Sequence, residues 1–135
     1  MNYYIKASSI AHKDAVVHIK QSNILFGTNP TTSETLPNPA ELYLSSIAAC
    51  ILKNVERFSG MLKFRYTKAE VSVHAVRLEN PPRMDNVTYE LTIHSDDKKL
   101  NIALLQKNIE THGTIYNTIK LSSSISGKII TVTDV

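Results

Sequence analysis

The chain has 135 residues, of which 42% are apolar and 20% charged, with a formal net charge of +3 and a single cysteine. This composition predicts one globular domain and excludes a disordered or low-complexity protein. The basic residues are scattered along the chain, so we expect no nucleic acid partner. No apolar run approaches the roughly 20 residues of a membrane span, so we expect no membrane association. The first residues lack a signal-peptide pattern, so we expect a cytoplasmic location.

The N-terminal part of the chain is predicted to form strands. Apolar and polar residues alternate over residues 3–7, and residues 15–19 form a second β-prone run, so together they predict a hairpin. A short third strand is predicted at residues 23–26. The next segment, GTNPTTSETLPNP, is rich in Gly, Pro, Asn and Thr, which predicts a long connection.

A long helix is predicted over residues 38–60. Asn38 suits the N-cap, Pro39 suits the first helical position and Glu41 can complete a capping box. Gly60 suits the C-terminal end. The centre is apolar on nearly every side, through Leu42, Tyr43, Leu44, Ile47, Ala48, Ala49, Cys50, Ile51, Leu52 and Val55. Such a helix is predicted to be buried, with a partner subunit as one source of cover.

The remainder of the chain predicts two strands, a helix and a closing strand. Alternating apolar residues at 69–75 and 87–93 predict a hairpin, because the proline-rich segment between them cannot continue a ladder. An amphipathic helix is predicted to begin after Asp96 or Asp97, either of which can cap it, and to end near His112 and Gly113. Residues 128–132 form the last predicted strand.

This order of strands and helices is an α+β pattern. We expect one domain over residues 1–135. It is divided into N-terminal strands and a loop at 1–37, the central helix at 38–60 and a ββαβ portion at 61–135. No internal repeat is visible in the sequence.

Two motifs in this order resemble those of the OsmC/Ohr superfamily. The first is PxELxxxxxAAC in the long helix, and the second is HGTIYNTI at residues 112–119. The resemblance implies an OsmC/Ohr-like fold, with a long buried central helix, antiparallel sheets and an intertwined homodimer whose sheets contain strands from both chains. In the peroxidase branches of that superfamily a helix cysteine reduces organic hydroperoxides, assisted by a second cysteine, a glutamate and an arginine.

The correspondence is incomplete when it is carried over one residue at a time. Cys50 falls on the peroxidatic position, but Gly113 stands where the resolving cysteine would be. Ala40 falls on the usual glutamate, with Glu41 beside it, and no arginine precedes Arg57. An intramolecular disulfide step is therefore excluded, and oxidised Cys50 would need an external thiol or the cysteine of another chain.

A reactive Cys50 needs a group that lowers the pKa of its thiol, because only the thiolate is a good nucleophile and a free cysteine has a pKa of about 8.5. Cys50 lies about 18 Å from the helix start, which is too far for the helix dipole. Lys53 is the nearest candidate cation, and Arg57 lies on the same face about 10 Å away. Both side chains also have a simpler interpretation, as solvated basic residues in the C-terminal half of a helix, where the helix dipole favours them.

Glu41 and His112 are weaker candidates. Glu41 points to the opposite side of the helix from Cys50. Its alternative interpretation is a carboxylate that stabilises the start of the helix. His112 precedes the position of the resolving cysteine, but a histidine in the last turn of a helix is commonly placed there for the dipole. The five histidines have no ligand-like spacing, so we expect no metal and no cofactor.

Two functions remain open from the sequence. In the first, the protein is a single-cysteine, thiol-dependent reductase of organic hydroperoxides that acts through Cys50 and an external thiol. In the second, it is a non-catalytic homodimer that binds a small apolar or electrophilic ligand in its interface cleft, with Cys50 mainly packing. The ionisation of Cys50 distinguishes them, because a reactive thiol must be substantially thiolate near neutral pH.

Overall fold

A computed structural model describes residues 1–133. The strands are β1 (Lys6–Ser9), β2 (Ala15–Ile19), β3 (Ser22–Phe26), β4 (Lys68–Leu78), β5 (Arg83–His94) and β6 (Ile125–Val132), and the helices are α1 (Pro39–Leu62), α2 (Ile102–His112) and α3 (Thr114–Ile119). This content confirms the α+β class. None of the helices within the described residues combines the length and the apolar character that a membrane span requires.

The chain divides into two compact units, residues 1–43 and the residues from 44 onward. The first unit contains an antiparallel sheet in the order β1-β2-β3, in which Val17 lies opposite both Ala7 and Ile24. Within residues 1–43, Ala15 is the one buried residue. The first unit therefore has almost no core, and the prediction of a single domain over the whole chain stays a prediction.

The connection between β3 and α1 is ordered by hydrogen bonds to one carboxylate. Asp14 Oδ1 accepts from the Thr28 backbone N–H at 3.1 Å, from the Asn29 side chain at 2.9 Å and from the Thr32 hydroxyl at 2.7 Å. These bonds, led by the one from Thr32, hold the pKa of Asp14 below its usual value. The predicted long connection is thus a structured loop, with a 3₁₀ turn at Pro30–Thr32.

Helix α1 begins as the sequence predicts. The Asn38 side chain accepts a hydrogen bond from the Glu41 N–H at 2.8 Å, and Glu41 Oε1 accepts one from the Asn38 N–H at 3.1 Å. This reciprocal pair is a capping box, which satisfies two backbone donors at the start of the helix. Pro39 is the first helical residue, where its missing N–H costs no hydrogen bond.

The end of α1 differs from the prediction. The helix continues through Gly60 to Leu62, and Lys63, with a φ of 56°, takes the left-handed position after it. The Phe64 N–H then donates to the Ser59 carbonyl at 3.1 Å, as in a Schellman motif. The predicted end at Gly60 was wrong because the burial of Phe64 stabilises the later stop, although glycine is the usual residue for that conformation.

One stripe of α1 is buried and the other is not. The buried residues are Ile47, Ile51, Asn54, Val55 and Phe58. Away from this stripe Ala49 is exposed and Leu52 exposes 36% of its surface. Met61, in the last turn of the helix, exposes 62%. The prediction that the helix is buried on all sides is therefore not met within a single chain, and it stays a prediction for an assembly.

The second unit contains a mixed sheet in the order β4-β5-β6. β4 and β5 form the predicted antiparallel hairpin, with Val71 opposite Leu91. β6 runs parallel to β5, with Ile129 opposite Leu91, so the prediction of antiparallel sheets was wrong for this pair. A parallel neighbour needs a crossover connection, which α2 and α3 provide here.

The core of the second unit combines side chains from all three helices and from the sheet. Its buried members are Ile47, Ile51, Val55, Phe58, Phe64, Val87, Tyr89, Leu91, Ile93, Leu105, Ile109, Tyr116, Ile119 and Ile129. Every second residue of β5 from Val87 to Ile93 is buried, which confirms the alternation that predicted this strand.

A network of side-chain hydrogen bonds connects α2 and α3 to the sheet. The hydroxyls of Tyr89 and Tyr116 donate to the two carboxylate oxygens of Glu110 at 2.9 and 3.1 Å, and Gln106 donates to the Gly127 carbonyl at 2.8 Å. Burial, followed by the nearby Glu110, raises the pKa of Tyr116 to about 12 and also raises that of Tyr89. A Cβ on Gly127 would collide with the Tyr89 ring, so glycine is required there.

Candidate functional site

Cys50 lies in the middle of α1 and is a partly exposed residue. Its Sγ is 3.6 Å from the side-chain nitrogen of Asn54, which lies one helical turn further on. The same nitrogen donates to the Cys50 carbonyl at 2.9 Å. The thiol therefore has an amide N–H beside it, on a residue that is partly exposed.

The junction between α2 and α3 lies against this thiol. Gly113 occupies the junction and is buried. A Cβ on Gly113 would lie 2.8 Å from the Ile109 carbonyl oxygen, 3.1 Å from Tyr116 Cβ and 3.3 Å from Cys50 Sγ, so a side chain there requires its neighbours to shift. The residue that the sequence aligns with the resolving position is thus next to Cys50 in space, but it brings no second thiol.

His112 contacts an aromatic ring beside the site. It is the last residue of α2 and is exposed, and its ring centroid lies 5.9 Å from that of Phe58 with the planes tilted by 43°. The Arg57 guanidinium lies 5.3 Å from the centroid of the same Phe58 ring, at cation–π distance. The contact observed for His112 is with Phe58, and its approach to Cys50 stays a prediction.

Lys53 is exposed, and its side chain forms no hydrogen bond or ion pair with any residue in 1–133. Across the same range, no lysine, arginine or histidine donates a hydrogen bond to the Cys50 sulfur. A nearby cation is the usual means of favouring a thiolate. The activating role expected of Lys53 or Arg57 therefore stays a prediction and requires a contact that residues 1–133 do not show.

Glu41 serves the start of α1. Its carboxylate accepts the Asn38 N–H at 3.1 Å, so one of its oxygens is already occupied in the capping box. Glu41 belongs to the first unit and Cys50 to the second. The observed bond is the one expected of a helix-start carboxylate.

Asn54 is the site residue that the sequence analysis missed. Its exposure is only 8%, and it is the one buried polar residue of the described part of the chain. The available signal was its spacing, because residues four apart share a helix face and Asn54 follows Cys50 by four. A polar residue within an apolar stripe next to the lone cysteine is unusual enough to be noticed.

The second unit also has two cavities. One, of about 790 Å³, is lined by residues that include Glu56, Tyr66 and Asp96. The other, of about 460 Å³, lies on the second sheet near His74 and Lys128. Cys50 lines neither of them. From residue 1 to residue 133, no group of three or more His, Cys, Asp or Glu side chains could hold a metal ion.

These features define a class of α+β protein in which a long helix carries a partly exposed cysteine next to the junction of two later helices. A family model described as OsmC-like protein matches residues 32–127. The chain therefore belongs to the OsmC-like protein family, which confirms the resemblance found in the sequence. No curated protein matches the chain in a sequence comparison.

Solved structures share the fold at low sequence identity. An OsmC-like protein from Mycoplasma pneumoniae superposes with a TM-score of 0.86 at 19% identity, covering 98% of each chain. An OsmC-like protein of unknown function from Vibrio cholerae gives 0.79 at 12% identity, over 96% of this chain and 99% of that one. An organic hydroperoxide resistance protein OsmC from Legionella pneumophila gives 0.67 at 13% identity, over 95% and 97%.

Proposed function

We propose that this protein is a single-cysteine, thiol-dependent reductase of organic hydroperoxides. The observation that carries the proposal is the environment of Cys50, a partly exposed residue whose Sγ has the Asn54 amide at 3.6 Å and the Gly113 junction beside it. Membership of the OsmC-like family supports thiol chemistry at this helix position. A lone cysteine also suits a reducing compartment such as the cytoplasm.

The reaction begins with the thiolate form of Cys50. The sulfur attacks the terminal oxygen of the hydroperoxide R–O–O–H, an S–O bond forms and the O–O bond breaks. Sulfur loses two electrons and the peroxide gains them. Cys50 becomes a sulfenic acid, and the departing alkoxide takes a proton from water to become the alcohol.

The cycle is completed by a thiol from outside the chain, because Gly113 brings no second sulfur to the site. One molecule of external thiol condenses with the sulfenic acid, releasing water and forming a mixed disulfide with Cys50. A second thiol attacks that disulfide, which restores the Cys50 thiol and releases the oxidised reductant. A dithiol can supply both sulfurs.

We also propose that the working form is a homodimer. The first unit supports this, because Ala15 is the one buried residue in 1–43, while Ile24 and Leu25 expose 38% and 61% of their surface. A three-stranded sheet needs a covered apolar face to be stable. Leu52, which is 36% exposed on α1, adds apolar surface that a second chain would bury.

One observation favours the second candidate function, a non-catalytic dimer that binds a small apolar or electrophilic molecule. No cation in residues 1–133 donates a hydrogen bond to the Cys50 sulfur. A cysteine without such a group keeps a thiol pKa near about 8.5 and reacts slowly at neutral pH. The ionisation of Cys50 therefore decides between the two candidates.

The test measures thiol ionisation and turnover on the same protein. The native protein is alkylated with iodoacetamide from about pH 5 to about pH 10, and the midpoint of the rate profile is taken as the thiol pKa. Loss of cumene hydroperoxide is then followed with dithiothreitol as the reductant. We expect a midpoint below about 8, together with peroxide loss that depends on the protein.

Cys50→Ser is the control for both measurements. It is expected to abolish alkylation and peroxide loss while the melting temperature changes little, because serine has a similar volume. A wild-type midpoint at or above about 9 with no peroxide loss would reject the reductase and favour the ligand-binding candidate.

A further inference from the structure

Asn54 is held in one orientation beside Cys50. Its exposure is 8%, and the terminal nitrogen of its amide lies 2.9 Å from the Cys50 carbonyl oxygen. Because a carbonyl oxygen can only accept, the atom that faces it must be the N–H₂ group, which fixes the orientation of the amide. That group has a second hydrogen, and Cys50 Sγ is 3.6 Å from the nitrogen.

We propose that Asn54 is a positioning residue that donates a hydrogen bond to the Cys50 sulfur and thereby favours the thiolate. The inference rests on the proposed function, and it identifies the group that stands in for the cation missing from the site. A hydrogen bond to the charged form of an acid lowers its pKa, and a neutral amide can supply that bond. Because Asn54 is buried, solvent competes little for its N–H.

The oxygen of the same amide is available to the substrate. Within residues 1–133, Asn54 Oδ1 has no hydrogen-bond partner. No buried side-chain oxygen in that range lacks a partner, so Oδ1 reaches the accessible surface. A hydroperoxide and a cysteine sulfenic acid each carry one O–H donor. Asn54 can therefore donate to the sulfur and accept from the hydroxyl both before and after the O–O bond breaks.

A purely structural role for Asn54 is the alternative, because Asn, Ser and Thr side chains in helices can bond the carbonyl one turn back. Asn54→Ser separates the two roles. A serine hydroxyl can keep the bond to the Cys50 carbonyl, but it lacks the second N–H that reaches the sulfur. This variant also keeps a polar group at a buried position, so it is expected to fold.

The experiment compares iodoacetamide alkylation profiles of wild type, Asn54→Ser and Asn54→Ala in the native protein. We expect both Asn54 variants to move the midpoint up by about one pH unit, which is roughly tenfold less thiolate near neutral pH. Asn117→Ala is the matched control, because it also removes an amide bond to a backbone carbonyl, that of Thr111 at 3.0 Å. Its midpoint should equal that of wild type.

The inference and the proposed function are judged by different quantities. An unchanged midpoint in Asn54→Ser overturns the inference and leaves the reductase proposal in place if the wild-type midpoint lies below about 8. A wild-type midpoint at or above about 9 overturns the reductase proposal, whereas the shift between wild type and Asn54→Ser still decides whether Asn54 acts on the sulfur. Thermal melts of each variant verify that the native fold is retained.

Discussion

At the scale of single residues, Gly113 and Gly60 are both associated with helices but differ in their surroundings. A Cβ on Gly113 would lie 2.8 Å from the Ile109 carbonyl oxygen and 3.3 Å from Cys50 Sγ. A Cβ on Gly60 would meet nothing within 4 Å in the chain. Gly113 therefore sets how closely the α2–α3 junction approaches the thiol, whereas Gly60 only weakens a helix.

We expect Gly113→Ala and Gly60→Ala to change stability in opposite directions. The first should lower the free energy of unfolding by about 1–3 kcal/mol through overpacking, and the second should raise it by about 0.5–1 kcal/mol. Urea denaturation at one protein concentration measures both. Gly113→Ala should also slow alkylation of Cys50, because the added methyl group presses on Sγ. Equal stabilities of the two variants would contradict the packing described for Gly113.

At the scale of the structural elements, one carboxylate orders the loop between β3 and α1. Asp14 is the common acceptor for Thr28, Asn29 and Thr32, and these bonds lower its pKa below that in the unfolded chain. A group whose pKa is lowered by folding stabilises the native state above its unfolded pKa. That contribution is lost as the pH falls through the native pKa. The loop is therefore expected to loosen in acid.

We expect the Thr28 amide, which donates to Asp14 Oδ1, to be protected from hydrogen exchange at neutral pH. Its protection should fall below about pH 4, after correction for intrinsic exchange, and should already be low in Asp14→Ala at neutral pH. NMR exchange rates provide the measurement. Asp96→Ala is the control, because Asp96 accepts no hydrogen bond within the described residues. Unchanged Thr28 exchange in Asp14→Ala would contradict the role given to this carboxylate.

At the scale of the whole molecule, the apolar surface of the chain exceeds what its own core covers. In the first unit the sheet has apolar residues on β2 and β3 but only Ala15 is buried, and in the second unit α1 leaves Leu52 and Met61 exposed. A sheet of three strands and a helix with exposed apolar side chains are both stabilised when a second copy covers those side chains. This is the physical basis for the proposed homodimer.

We expect sedimentation equilibrium to give the mass of two chains, and the melting temperature to rise with protein concentration, because association stabilises the folded state by mass action. Leu52→Lys should weaken the dimer by placing a charge in the apolar contact. Leu121→Lys is the matched control, since Leu121 is 86% exposed and its charge should remain in water. A monomer with a concentration-independent melting temperature would reject the homodimer.

Local sequence signals were sufficient for much of the fold. The capping pair Asn38 and Glu41, the alternation along β5 and the approximate extent of α1 follow from residues a few positions apart, and such patterns reflect the geometry of single elements. The candidate position of Cys50 and the absence of a second thiol at Gly113 were also visible in the sequence.

The tertiary structure decided the rest. The parallel pairing of β6 with β5, the later end of α1 and the packing of Gly113 against Cys50 depend on contacts between residues far apart in the chain. Asn54 has a spacing from Cys50 that the sequence shows, but its burial depends on the elements that pack over α1. Spacing determines which side chains share a face, whereas only packing determines which face is removed from water and what lies against it.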